Sequence, residues 1–415
     1  MISYPVVRLI AAFTLMAVAG SAMYANIVGL NDFAAEFGVN RGLASAPYMA
    51  FMIGFGVGGL FMGRAADRFG VMAPNILGAL CVPAGFVAAA YSVGIWQLCL
   101  ATGLLMGMCG ASATFGPLVA DISHWFNRRR GLAMGIVISG SYMAGAVWPP
   151  IVQHFIDLYG WRDTFVGLGV FTACAMPPLI AILSRKPPHV ANALRDTASN
   201  TAHAHAAPRQ IARVRPLGLS TNSVQALICA AGVGCCIAMS MPQVHIVAYA
   251  IDLGFTAARG AEMLSLMLGC GIISRLTSGW ISDRIGGFQT LILGSTLQMM
   301  VLPTFLLADS LSALYLASAA FGLSQGGIVP SYALISRMVF PINDAGWRIS
   351  AALLSTLVGM AVGGWMAGAL YDLTGSYTIS FLNGVAFNAI NLVIAVTLYR
   401  RARQHPETLH VVATA

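Results

Sequence analysis

In the stretch GIISRLTSGWISDRIGG, residues 271–287, a single arginine stands among apolar and small residues, and an Asp-Arg pair follows eight residues later. The Arg275 guanidinium stays ionised, and its planar fork of donors matches a carboxylate in two parallel hydrogen bonds. Asp283 and Arg284 belong to a G-x-x-x-D-R-x-G pattern ending at Gly286, which also occurs at Gly63, Asp67, Arg68 and Gly70. Charge pairs flanked by glycine can latch one conformation and release another, or simply keep positive charge on one side. Asp67, Arg68, Asp283 and Arg284, with Asp121 and Arg130 of the Arg128–Arg130 cluster, are therefore candidate gating residues. His245, beside Gln243 and Tyr249, is a third polar anomaly: it can pack as a hydrogen-bonded histidine, or contact a ligand or carry a proton, since imidazole titrates near neutrality.

What must position these residues follows from composition. The 415 residues are 58% hydrophobic and 9% charged, against roughly 25% charged in soluble domains. Twelve apolar runs are each long enough to cross a hydrocarbon core as a helix: 7–31, 44–64, 72–94, 96–120, 130–154, 163–184, 222–250, 260–281, 288–308, 310–336, 347–370 and 377–399. They are rich in Gly, Ala and Leu, and lack the alternation of a membrane barrel. The expected class is an all-α membrane protein in a lipid bilayer, with the first span retained because it is too long for a signal-peptide core.

The net charge of +8 takes its meaning from its distribution. With the N-terminus inside, 18 of the 22 Lys and Arg fall on cytoplasmic segments, Arg41, Arg162 and Arg259 fall outside, and Arg275 lies in a span. That is the positive-inside pattern, which places both termini in the cytoplasm of a multi-pass inner-membrane protein. No folded basic face suggests nucleic acid. The eight cysteines lie in spans without metal-ligand spacing and read as packing residues; no metal, cofactor or oligomeric partner is expected. The spans hold no nucleophile, base and orienter set, so an enzyme is disfavoured.

Residues 185–221 are polar, basic and rich in Ala, Pro and Thr, and read as a cytoplasmic linker between bundles at 1–184 and 222–400, with a tail at 401–415. GRAADRFG at 63–70 matches GWISDRIG at 279–286, a shift of 216, and DLYG at 157–160 matches DLTG at 372–375, a shift of 215. Two markers at one offset indicate duplicated six-helix units, which in transporters place the substrate site at their interface near the midplane.

The duplicated motif, the twelve spans and the central linker resemble the major facilitator superfamily over essentially the whole chain. WFNRRRGLAMGI (125–136), MPQVHIVAYAIDLG (241–254) and SRLTSGWISDRIG (274–286) resemble bacterial relatives of the monocarboxylate transporters and, less closely, the oxalate:formate antiporters. The resemblance implies alternating access between two pseudo-symmetric bundles, and a substrate-binding arginine at the place of Arg275. Animal members pair a first-helix lysine with an aspartate just before that arginine; here the first span has no lysine, and Gly271 stands one turn before Arg275. Oxalate:formate antiporters use a second cation in the eleventh helix, and residues 349–370 contain none.

No carboxylate sits deep in a span; Asp32, Glu36, Asp157, Asp163, Asp252, Glu262, Asp309 and Asp372 map to outer loops or helix ends, where Asp157 and Asp372 are expected to serve turns. Arg275 lies roughly 6 Å past the middle of the eighth span at 1.5 Å per residue, where an arginine costs about 2.5–3.5 kcal/mol. It can snorkel or bind backbone carbonyls, or it can meet a ligand carboxylate. Tyr24, Asn26, Ser112, Thr114, Gln325, Tyr332 and Asn388 are further candidate ligand contacts that could equally stitch helices together. The combined expectation is transport of a small organic monocarboxylate anion, coupled to a proton, by a monomer; anion exchange, efflux and a non-transporting anion sensor are the alternatives.

Overall fold

The protein is described by a computed structural model covering residues 4–126, 130–185 and 216–406. Most of the expected linker, Arg128, Arg129 and the end of the tail lie outside the described residues, and Arg130 is placed in a helix without description of its side chain. Among the described residues the structure is helical and contains no strand.

The apolar runs form α1 (Tyr4–Val28), α2 (Arg41–Phe69), α3 (Met72–Ala90) and α4 (Ile95–Trp125). A continuous stretch, Arg130–Ile182, breaks at Gly160, whose φ of 79° lies in the left-handed region, and so divides into α5 (130–159) and α6 (161–182). The second group comprises α7 (Thr221–Asp252), α8 (Ala257–Ile285), α9 (Gly287–Val301), α10 (Leu311–Val339), α11 (Gly346–Thr374) and α12 (Thr378–Gln404). Among the described residues, ten apolar stretches are long enough to cross a bilayer by length and composition; splitting one at Gly160 and extending α9 by the 3-10 turn Leu302–Phe305 gives the twelve crossings expected.

Local sequence sets the ends. The side chains of Asn40, Ser220 and Ser310 each accept a backbone N–H from the first turn of α2, α7 and α10, satisfying donors that a helix start leaves open. The last glycine of each duplicated motif stops its helix in the same way: Gly70 has φ 79° and Gly286 φ 85°, which a residue with a Cβ rarely adopts.

The packing repeats as the motif does. In the first group α1 packs on α5 and α2 on α4; in the second, α7 packs on α11 and α8 on α10. The groups meet where α2 lies against α11 and α5 against α8. The outer surface is apolar, with Leu80, Leu100, Leu316 and Val393 66–72% exposed, a wasteful arrangement in water but the expected one against lipid. Because crossings alternate, the motif ends of α2 and α8 lie at the end of the bundle that carries Tyr4 and Gln404, here the near end; the start of α2 and the ends of α7 and α11 lie at the far end.

Candidate anion-binding cavity

Between the two groups, about midway along the helices, lies a cavity of about 220 Å³ lined by α1, α2, α4, α5, α7, α8, α10 and α11. Arg275 of α8 is the one charged side chain among the described residues that line it. Its guanidinium carbon sits 5.3 Å from the centre of the Tyr142 ring of α5, a cation–π stack. Gly271, one turn earlier, makes room for this: a Cβ there would lie 2.7 Å from the Tyr142 ring. Arg275 is half-buried, and its N–H groups have no hydrogen-bond acceptor or ion-pair partner among the described residues. It does not snorkel to a carbonyl. The cavity therefore presents a half-buried fork of donors with one face covered by an aromatic ring.

The other candidates separate into two sets. Tyr24 and Thr114 line the cavity with Arg275; Tyr24 reaches the Ser141 carbonyl at 3.4 Å, and Thr114 donates to Ala111 O at 2.9 Å. Gln325 is fully buried one layer behind, accepting from the cavity-lining Gln243 at 2.6 Å. Asn26 donates to Ala22 O, Ser112 to Met108 O, Tyr332 to Asn391 and Asn388 to the Ser295 carbonyl. Tyr332 and Asn388 thus stitch helices together, Asn26 and Ser112 bond back to a carbonyl of their own helix, and none of the four lines the cavity. His245 is also apart from it, with one ring nitrogen 2.9 Å from the Tyr377 hydroxyl and the other 2.7 Å from Gly364 O. Sequence reasoning passed over Tyr142, because an aromatic residue in an apolar span carries no signal of its own. Arg348, at the start of the 347–370 span, is a cation within α11; it is buried against Phe340 and Trp347 and does not line the cavity.

Residues 10–311 match the profile of the Major Facilitator Superfamily. The chain belongs to that superfamily. Among its relatives, monocarboxylate transporter 13 of Rattus norvegicus is 26% identical over 370 residues, covering 86% of this chain and 79% of that one. Monocarboxylate transporter 13 of Bos taurus is 28% identical over 365 residues, with the same coverage, and an MFS-type transporter of Bacillus subtilis is 24% identical over 92% of this chain and 95% of that one. A peptide transporter solved in complex with sulfate superposes with a TM-score of 0.74 at 15% identity, covering 97% of this chain and 95% of that one, which shows a shared fold. Family and relatives alike are membrane transporters, not enzymes.

In this superfamily member the two helix groups are joined by charge at the far end. Arg41, at the start of α2, binds Asp252 at the end of α7 through both guanidinium nitrogens, one at 2.6 Å. The backbone N–H groups of Arg41 and Gly42 donate to the Asp372 carboxylate of α11 at 2.9 and 2.7 Å, and the Arg41 guanidinium lies 3.9 Å over the Tyr371 ring. Asp252, expected only at an outer loop or helix end, and Asp372, expected to serve a turn, thus bridge the groups. Nearby, Asp32 in the short helix Leu30–Phe37 is pushed up to about 6 by burial, reinforced by the charges of Asp157 and Glu36.

The near end differs. Asp67, Arg68, Asp283 and Arg284 are exposed, and the two arginines stack on Phe69 and Trp280 of their own helices without an ion-pair partner among the described residues. Asp121 does not join them: both its oxygens are taken by Arg8 of α1, at 2.7 and 2.8 Å, within the first group. Arg8 is fully buried and also donates to the carbonyls of Leu183 and Arg185.

Proposed function

We propose that this transporter carries a small organic monocarboxylate across the cytoplasmic membrane by alternating access, driven by a co-transported proton, as a monomer with both termini in the cytoplasm. The observation that carries the reading is Arg275: one permanently charged fork, at mid-depth in the cavity between the two helix groups, with no acceptor among the described residues. A carboxylate is the partner that fits two of its donors in parallel, and supplying that partner offsets the cost of the buried charge. The Rattus and Bos relatives are monocarboxylate transporters by name, which agrees with this reading.

With the near end cytoplasmic, the far-end bridges of Arg41 close the outer path, and Asp67, Arg68, Asp283 and Arg284, exposed and without an ion-pair partner among the described residues, belong to an open inner path. This conformation then releases or receives substrate on the inside. In the opposite conformation the far-end bridges break, and the Asp-Arg motifs close the inner path. His245 does not touch the cavity but connects through Tyr377 to the group beneath Arg41, so a proton there acts on closure of the outer path and not on the substrate directly.

Uptake into proteoliposomes under an imposed inward proton gradient tests the coupling. The expected result is accumulation of the acid above its external concentration with no anion inside; a strict requirement for an internal anion would replace symport with exchange.

A further inference from the structure

The walls around Arg275 say what the rest of the substrate is. We propose that the carboxylate held by this cavity carries a bulky apolar body, aromatic or branched, and no second charge or set of hydroxyl groups; this rests on the reading of Arg275 as the carboxylate site.

Size is the first argument. A single water needs about 10–15 Å³ of such space, so a cavity of about 220 Å³ takes an occupant of roughly a dozen or more non-hydrogen atoms. Acetate or lactate would leave most of it to water facing apolar walls.

The chemistry of the walls is the second. Away from the Arg275–Tyr142 stack of α8 and α5, the wall takes Phe51, Phe55 and Phe115 from α2 and α4. Phe51 and Phe55 lie with their rings 9° from parallel, and Phe115 meets Phe55 edge-on at 5.6 Å. Methionines from both helix groups, Met23, Met52 and Met360 among them, fill the remaining wall, and their flexible thioethers pack well on ring edges.

Apart from the Tyr142 hydroxyl, the hydroxyl and amide groups that reach the cavity already donate within the protein. Thr114 donates to Ala111 O, Ser141 to Ile138 O at 2.8 Å, Thr356 to Leu353 O at 2.6 Å, and Gln243 gives its amide to Gln325. Arg275 and the Tyr142 hydroxyl are left as donors without an acceptor among the described residues, and the stack puts both on one side of the cavity. A monocarboxylate end satisfies that side. A second carboxylate or a polyol chain would be pressed against phenylalanine and methionine, where an unpaired polar group is penalised. Amphipathic acids match both sides at once.

The test is calorimetric titration of the purified full-length transporter with acetate, 4-methylpentanoate, phenylacetate, succinate and gluconate, with phenylethanol as the uncharged control. Each buried methylene adds about fourfold in affinity, so phenylacetate and 4-methylpentanoate should bind about tenfold to a hundredfold more tightly than acetate. Succinate and gluconate should not exceed acetate, and phenylethanol should not bind measurably. Phe115→Ala should weaken phenylacetate by a larger factor than acetate, a selectivity that general misfolding would not produce. Acetate, succinate or gluconate binding as tightly as phenylacetate, with all binding lost in Arg275→Ala, overturns this inference and leaves the carboxylate site standing. Affinities unchanged by Arg275→Ala, or no acid binding at all, overturn the site and the inference together.

Discussion

Replacing Arg41 by alanine removes two charge-assisted hydrogen bonds to Asp252 and a cation–π stack on Tyr371, all of which join one helix group to the other. The Arg41 and Asp252 side chains are 18% and 25% exposed, so the pair lies between a solvated surface pair, worth under about 1 kcal/mol, and a buried one. Adding about 0.5–1 kcal/mol for the stack gives roughly 2 kcal/mol in favour of the closed far end. The bonds to Asp372 persist in the variant, because they come from backbone N–H groups. A loss of about 2 kcal/mol moves the ratio of closed to open far ends by about thirtyfold. Pulsed electron–electron distance measurements between spin labels at Ala35→Cys and Thr374→Cys, in a background with the native cysteines replaced, read that ratio directly. Arg41→Ala and Asp252→Asn should each shift the population toward the longer distance, and the charge swap Arg41→Asp with Asp252→Arg should recover much of the short one. A ratio that moves less than about twofold in both single variants would refute the role of these bridges in closing the far end.

Two further perturbations bear on other parts of the molecule. Asp121→Ala leaves the fully buried Arg8 without its carboxylate and should cost about 3–5 kcal/mol, seen as a large fall in the thermal midpoint in detergent, while Arg8→Met with Asp121→Leu should recover most of it. Asp32, raised from 3.8 to about 6 by burial first and then by Asp157 and Glu36, binds more protons folded than unfolded between those values, so its contribution to stability falls as pH rises through that window. Asp32→Asn should therefore melt higher than the unmodified chain at about pH 8, with the gap closing by about pH 4; a gap independent of pH would contradict the burial argument.

The spans were legible because they depend on composition and length, which the sequence carries locally. The break at Gly160 and the stops at Gly70 and Gly286 were legible in the same way, since each motif ends on a glycine that the backbone uses at positive φ. Arg275 stood out because a lone charge in an apolar run is costly wherever the chain folds. The residue that completes its setting, Tyr142, could not be singled out, because its role comes from packing across α5 and α8. Gly271 was visible only as a departure from relatives, and its use as space for the Tyr142 ring needed the structure. The far-end bridges join residues 211 and 331 positions apart, a separation at which no periodicity or spacing carries information. Tyr332, Asn388, Asn26 and Ser112 show the converse: a polar side chain that binds a ligand looks the same in one sequence as one that binds the next helix, as Tyr332 and Asn388 do, or its own, as Asn26 and Ser112 do.

The central claim is that Arg275 holds the substrate carboxylate, and the binding affinity of one monocarboxylate for the unmodified chain, Arg275→Lys and Arg275→Ala tests it most directly. Two charge-assisted hydrogen bonds at about 1.5–3 kcal/mol each predict a loss of at least a hundredfold for Arg275→Ala, with little recovered by Arg275→Lys because a point charge lacks the fork. Both variants should keep a cooperative melt. Affinity within about threefold of the unmodified chain in Arg275→Ala would contradict the account.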